Sequence, residues 1–406
     1  MDCQTKNSYI KRFSKWYPFL KGFTDDLLFF VAIDTLFFTM VKNLSLSEIS
    51  LLTAISSFIA IICRFLFLKI ILKLGNTFCV RLGMILLLLS AIIMTTGHHF
   101  VTILLGKTLY EFAFIFKDME MVVLKNNLSV LGKENQYATI ANKGMIIYAF
   151  LTFIVALSSG ILFNINPYLP MILCILVCFI FTIFYFFMKD VSIYNKKNTL
   201  LGKQEKIKFS NIVWPVFLCY GLFFGLITIG MQNSKLLIQY ELSDFYISTT
   251  VSFYLSIVIA FSRIARLFRM ILYGKIYTWM KEKSLFLFPC CLLFSFLLII
   301  SGYCISFLPL KFFLMAFGFC LILSVRDPFR LYIQDMVLRI TSSEQHQTLI
   351  SYIELARKIG ISFCCFIISV VLFHWELIYA IVAISLLAFS EIIIAIRLYR
   401  MVLCAS

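Results

Sequence analysis

Asp34 lies in the run Leu27-Leu28-Phe29-Phe30-Val31-Ala32-Ile33-Asp34-Thr35-Leu36-Phe37-Phe38, a setting in which a side chain is least able to carry charge. A charge at the centre of such a segment costs at least about 2.5 to 3.5 kcal/mol on insertion scales, so it must pair or face water. Burial favours the protonated acid and a nearby cation favours the carboxylate. Proton exchange and capture of a cationic group are therefore the two chemistries such a residue offers. Asp25 and Asp26 precede it, about 12 Å earlier along a helix at 1.5 Å per residue. Asp34 is expected to be the deepest acid of the chain and a coupling or binding residue, with a structural ion pair to Arg64 as the alternative. Arg64 stands alone in Ile61-Ile62-Cys63-Arg64-Phe65-Leu66 and cannot lose its proton to escape burial. Asp25 and Asp26 read either as binding acids or as favourable charges near a helix amino terminus.

Lys107, Glu111 and Asp118 are spaced four and seven residues apart, so they return to one helix face with Tyr110 at its edge. One base and two acids in a stripe suit a cavity wall that binds a polar or charged solute and exchanges protons. The alternative is a self-neutralising Lys107-Glu111 pair that holds helices together. Lys117-Asp118-Met119-Glu120 and Arg326-Asp327-Pro328-Phe329-Arg330 stand at the ends of two apolar runs, and Glu354, Arg357 and Lys358 open a third. Pairs among Lys117, Glu120, Arg326, Asp327, Arg330, Glu354 and Arg357 are expected to break and remake as a gate. As plain surface pairs they would contribute under about 1 kcal/mol. Arg263, Arg266 and Arg269 read as topology anchors.

Other chemistries find no support. Gly106-Lys107-Thr108 resembles the end of a phosphate-binding loop, but Val101 replaces the required glycine. His98-His99 and His374 fall in separate loops, and the thirteen cysteines lie mostly in apolar runs without metal-like spacing. No catalytic residue, cofactor or resident metal is expected, and the chain is not read as an enzyme.

The elements that must position these residues follow from composition. The chain is 62% hydrophobic and 14% charged, with mean hydropathy +0.97, against about half and a quarter in soluble domains. Apolar runs near 22-42, 46-69, 80-97, 100-126, 137-162, 168-188, 211-232, 244-268, 285-306, 309-326, 347-373 and 376-397 predict twelve transmembrane helices. The formal charge of +16 concentrates in alternate connections, which points to topology and not to nucleic acid. Only Lys42, Lys235 and Lys311 fall on the other side. Both termini are thus expected to be cytoplasmic, in a cell membrane and in a bacterial setting.

The basic stretch 189-210 divides the runs six and six. The predicted organisation is an amino-terminal half over 1-188, a cytoplasmic linker over 189-210 and a carboxy-terminal half over 211-406. Lys117-Asp118 with Gln136 and Thr139 recurs, at an offset of 209, as Arg326-Asp327 with Gln345 and Thr348, at equivalent places in the two halves.

This architecture resembles the major facilitator superfamily of secondary transporters over nearly the whole chain. The family's loop between spans two and three reads Gly-x-x-x-Asp-Arg-x-Gly-Arg-Lys. Here it is Leu68-Lys69-Ile70-Ile71-Leu72-Lys73-Leu74-Gly75-Asn76-Thr77: Lys73 and Gly75 match, while Leu68 and Leu72 replace the glycine and the aspartate. Leu105-Gly106-Lys107 is similar to the family's Leu-Gly-Arg. The resemblance implies an all-α polytopic protein of two pseudo-symmetric six-helix bundles and transport by alternating access, coupled to a proton or sodium. Buried acids in aromatic-rich spans point first to export of an amphipathic or cationic compound. Uptake of a small organic nutrient is the alternative, and a non-transporting receptor or enzyme on the same scaffold is a third reading. The expected partners are a small solute, the coupling ion and the lipid bilayer, with the chain a monomer.

Overall fold

The computed structural model describes residues 3–133, 136–191, 213–340 and 346–405. The helices are α1 (Cys3–Thr24), α2 (Leu28–Leu36), α3 (Leu46–Leu74), α4 (Asn76–Thr96), α5 (Phe100–Lys117), α6 (Met119–Val130), α7 (Tyr137–Ile165) and α8 (Leu169–Phe186). They continue as α9 (Val213–Ser243), α10 (Ser248–Met280), α11 (Ser284–Cys304), α12 (Leu308–Ile340), α13 (His346–His374) and α14 (Leu377–Ala405). A π-helical turn over Phe37–Val41 extends α2. Ten of these helices are long and apolar enough to cross a membrane, and the protein is a multi-pass, all-α membrane protein. On α7 the exposed residues Ile146, Phe150, Ile154, Leu157 and Ile161 recur every three or four positions. Such a stripe is what a lipid-facing side requires.

The two expected runs missing from those ten are the first and the fourth, and they are the two that are both interrupted and charged. The helix at the first of these runs does not begin at 22: α1 runs from Cys3 to Thr24, and the chain resumes as α2 at Leu28. The Asp26 carboxylate accepts the Leu27 backbone N–H at 2.7 Å, the competition by which aspartate side chains end helices. The fourth is divided at Asp118, where α5 gives way to α6 and Met121 N–H bonds back to the Asp118 carbonyl at 3.2 Å. Three charged residues, Lys107, Glu111 and Lys117, sit within α5.

Several boundaries also move. The helix expected over 211-232 runs to Ser243, so Lys235 lies within it and is buried at 3% exposure. Lys42 is likewise buried, its ammonium 5.1 Å from the Phe37 ring centre, and Lys311 pairs with Glu241. The helix expected to end at 326 continues as α12 through Pro328 to Ile340, so Arg326, Asp327 and Arg330 lie within a helix.

The chain forms two compact units, Met1–Asp34 with Ile62–Lys206, and Thr35–Ile61 with Ile207–Ser406. The expected linker lies largely outside the described residues, as does Gln345 of the repeat. Sequence patterning assigns 35–61 to the first half, but this segment groups with the second unit. Side-chain hydrogen bonds tie it there: Gln239 to Thr39 at 2.8 Å, Gln232 to Ser50 at 3.3 Å, Ser362 to the Ala54 carbonyl and Ser369 to the Ser47 carbonyl, both at 3.1 Å.

Within unit 1, α4 and α5 approach through small residues. A methyl on Gly83 would lie 2.6 Å from the Lys117 backbone nitrogen, and one on Gly106 would meet Met94 at 2.7 Å. Close backbone approach through small residues is the usual packing device between membrane helices, and here it fixes the end of α5 where Lys117 stands. Within unit 2, Gly221 and Gly225 of α9 face Gly360 of α13, where an added methyl would sit 1.8 Å from the Gly221 carbonyl oxygen.

Candidate functional site

The two interrupted helices bring their charges together inside unit 1. Lys21, in the last turn of α1, bonds Asp25 at 2.7 Å and reaches Glu120 of α6 at 3.3 Å. Lys117 approaches the same Glu120 oxygen at 3.3 Å. The other Glu120 oxygen accepts the hydroxyl of Tyr185 from α8, and Tyr185 in turn contacts the Thr24 hydroxyl at 3.1 Å. Lys21, Lys117 and Glu120 are exposed by only 5%, 2% and 1%. The stem of Lys21 rests on Gly144 of α7, where an added methyl would come within 3.1 Å of it. Tyr17, one turn earlier on α1, is buried with its hydroxyl unpaired among the described residues.

One turn further on, a second group forms around Asp26. The Tyr110 hydroxyl donates to Asp26 Oδ1 at 2.6 Å, and that same oxygen accepts the Leu27 N–H at the start of α2. Lys107 sits over two aromatic faces, 4.4 Å from the Tyr110 ring centre and 5.7 Å from that of Phe30, and within electrostatic reach of Asp26. Phe114 packs edge-on against Tyr110 at 4.9 Å. A carboxylate beside two rings that already hold an ammonium is a site shaped for a cation, since such contacts strengthen as water is excluded.

The sequence-derived candidates separate as follows. Asp25, Asp26, Lys107, Tyr110, Lys117 and Glu120 all enter these two groups. Glu111 is buried on α5 at 6% exposure. Asp118 is exposed at the junction of α5 and α6. Arg64 is half-buried on α3. Asp34 is also half-buried, near the end of α2, and is not the deepest acid of the chain: Glu120 and Glu391 lie deeper, at 1% and 0% exposure. The expectation for Asp34 assumed one straight span from 22 to 42, which would carry residue 34 to mid-membrane. The helix is interrupted at 25–27 instead, and Lys21, Asp25 and Asp26 enter the charged groups described above.

The other candidates expected to gate lie in unit 2, where Asp327, Arg330, Glu354 and Arg357 form local pairs. Arg266 of α10 bonds Asp327 of α12. Glu354 of α13 accepts a hydrogen bond from Arg330 at 3.2 Å and forms an ion pair with Arg357 at 2.8 Å. Arg266, read from the sequence as a surface anchor, is 8% exposed and part of a buried pair.

No protein-family profile and no curated protein sequence matches the chain. Solved structures do match over nearly its full length. The nucleoside transporter NupG superposes with a TM-score of 0.74 at 12% identity, covering 97% of this chain and 98% of that one. A bacterial homologue of the human lysosomal transporter Spinster gives 0.71 at 11%, covering 98% of both chains. A bacterial homologue of the iron transporter ferroportin gives 0.68 at 10%, covering 98% and 100%. The chain has the major facilitator fold. At these identities the likeness is one of fold, and the charged network above is described from this chain's own residues.

Sequence reasoning missed Lys21, Thr24, Tyr185, Tyr17 and Glu391. Lys21 looked like one more basic residue of a polar amino-terminal segment, although Tyr17, Lys21, Thr24 and Leu28 recur at helical spacing. Glu391 was available from the same signal that singled out Asp34, a lone acid within a long apolar run.

Proposed function

We propose that this protein is a proton-coupled secondary transporter whose solute site, within unit 1, is lined by Asp26, Tyr110, Phe30 and Lys107. The observation that carries this reading is the placement of buried, mutually satisfied charges on the two broken helices, α1–α2 and α5–α6. Discontinuous membrane helices expose backbone and charge to a solute near mid-membrane, and in carriers of this general kind that is where substrates and coupling ions bind. The solute class favoured is an amphipathic organic cation, moved outward. Lys107 occupies the aromatic pair beside Asp26 as an internal cation, so an incoming cation takes that position by displacing it. The ion-paired group at Lys21, Asp25, Lys117 and Glu120 is the element whose partners exchange as protons and solute come and go. A cell-membrane location with cytoplasmic termini belongs to the same proposal.

The test is transport in proteoliposomes with an imposed pH gradient and a lipophilic aromatic cation as probe. Flux should follow the gradient and should be lost in Asp26→Asn. Absence of gradient-driven flux in the wild type, together with unchanged probe binding in Asp26→Asn, would overturn the reading.

A further inference from the structure

Unit 2 holds a carboxyl group that no part of the mechanism above uses. Glu391 stands midway between Leu377 and Ala405 of α14, about 21 Å from either end at 1.5 Å per residue. Its side chain is wholly buried. Oε1 meets only the Cys219 thiol of α9, at 4.0 Å, and Oε2 has no hydrogen-bond partner among the described residues. α14 packs against α9, α11 and α13. The titratable groups these helices bring within reach of Glu391, among the described residues, are the thiols Cys219, Cys290 and Cys364. Thiols are ordinarily neutral and cannot balance a carboxylate.

A buried carboxylate without a cation is among the costliest arrangements a protein can hold, and such a group takes up a proton instead. Even the neutral acid is expensive here, because Oε2 is buried with no hydrogen-bond partner among the described residues, and a leucine would fill the same space without that cost. The surroundings offer no easy relaxation: α9 and α13 are in backbone contact at Gly221, Gly225 and Gly360, and the Cys364 sulfur would lie 2.6 Å from a methyl on Gly225. A costly group held in a rigid place at mid-membrane points to a use.

We propose that Glu391 is a proton-binding site of unit 2, protonated in the arrangement described here and releasing its proton when water enters the core of the unit. Its role in coupling rests on the transport reading, whereas the protonation does not. The experiment uses the full chain in lipid nanodiscs. Infrared titration should show a protonated-carboxyl C=O band that shifts in heavy water, outlasts the ionisation of exposed acids as pH rises, and is lost in Glu391→Gln. Cys219→Ser should move the band without removing it, because only the donor to Oε1 changes. A spectrum unchanged by Glu391→Gln would overturn the proposed site. In proteoliposomes Glu391→Gln should keep solute exchange in the absence of a gradient and lose gradient-driven accumulation. Accumulation equal to wild type would overturn the coupling role. Failure of the wild type to accumulate any probe would instead count against the transport reading, with the infrared result still deciding the site.

Discussion

Removing the carboxylate of Glu120 should destabilise unit 1 more than removing either lysine, and removing a charge of each sign should restore much of the loss. Glu120 Oε1 is shared by Lys21 and Lys117 at 3.3 Å each, while Oε2 accepts from Tyr185. In Glu120→Gln, Lys21 keeps Asp25 at 2.7 Å, but Lys117, at 2% exposure, is left without the carboxylate it meets here. Stranding one member of a buried pair costs about 3–5 kcal/mol. At about 2–4 °C per kcal/mol for a unit of this size, that is a fall in Tm of roughly 10 °C. Lys117→Met leaves Glu120 with Lys21 and Tyr185, so a smaller loss is expected. The double variant Lys117→Met with Glu120→Gln removes one charge of each sign, and replacing a buried pair by neutral side chains is often close to neutral in stability. The assay is thermal unfolding of the purified chain in one detergent, with all three variants side by side. Equal melting of Glu120→Gln and the double variant, or no loss in Glu120→Gln, would refute the claim that Lys117 depends on Glu120.

Tyr110→Phe removes the donor to Asp26 while keeping the ring beneath Lys107. It should cost about 1.5–3 kcal/mol, the value of a hydrogen bond to a charged group, and should weaken the thermal stabilisation given by an aromatic cation. Gly360→Ala should destabilise by more than about 1–3 kcal/mol, because the new methyl would overlap the Gly221 carbonyl. Gly132→Ala meets open space at φ +65° and should cost only about 1 kcal/mol of backbone strain; comparable melting of the two variants would contradict this packing of α9 on α13. Asp327→Asn removes the carboxylate that Arg266 bonds and should be destabilising, whereas the exchange of both residues, Arg266→Asp with Asp327→Arg, should recover part of the loss in the same melting assay.

How legible was the site? Glu111 and Asp34 were chosen because each is an acid in an apolar run, and by that standard Glu391 had an equal claim. Lys117 and Glu120 are among the charges expected to gate; in the structure they share a buried network with Lys21 and Tyr185. Those partners come from α1 and α8, 99 and 65 residues away from Glu120 in the chain. Sequence spacing gives the neighbours of a residue on its own helix through the 3.6-residue period, but it carries no information on which other helix faces it.

The same boundary separates what the sequence by itself determined from what only the tertiary structure decided. Hydropathy is a local sum over about twenty residues, so the membrane class, the all-α content and most helix positions were already written in the apolar runs. The breaks at 25–27 and at Asp118 were not, because the single side-chain and backbone bonds that mark them leave no trace in a sum of that length. The grouping of 35–61 with unit 2 rests on single hydrogen bonds to Gln239, Gln232, Ser362 and Ser369, and the contact of α9 with α13 on three glycines. Apolar surface is driven out of water whatever it touches, whereas a charge in a membrane is stabilised only by a particular partner, and that partner is chosen by the fold.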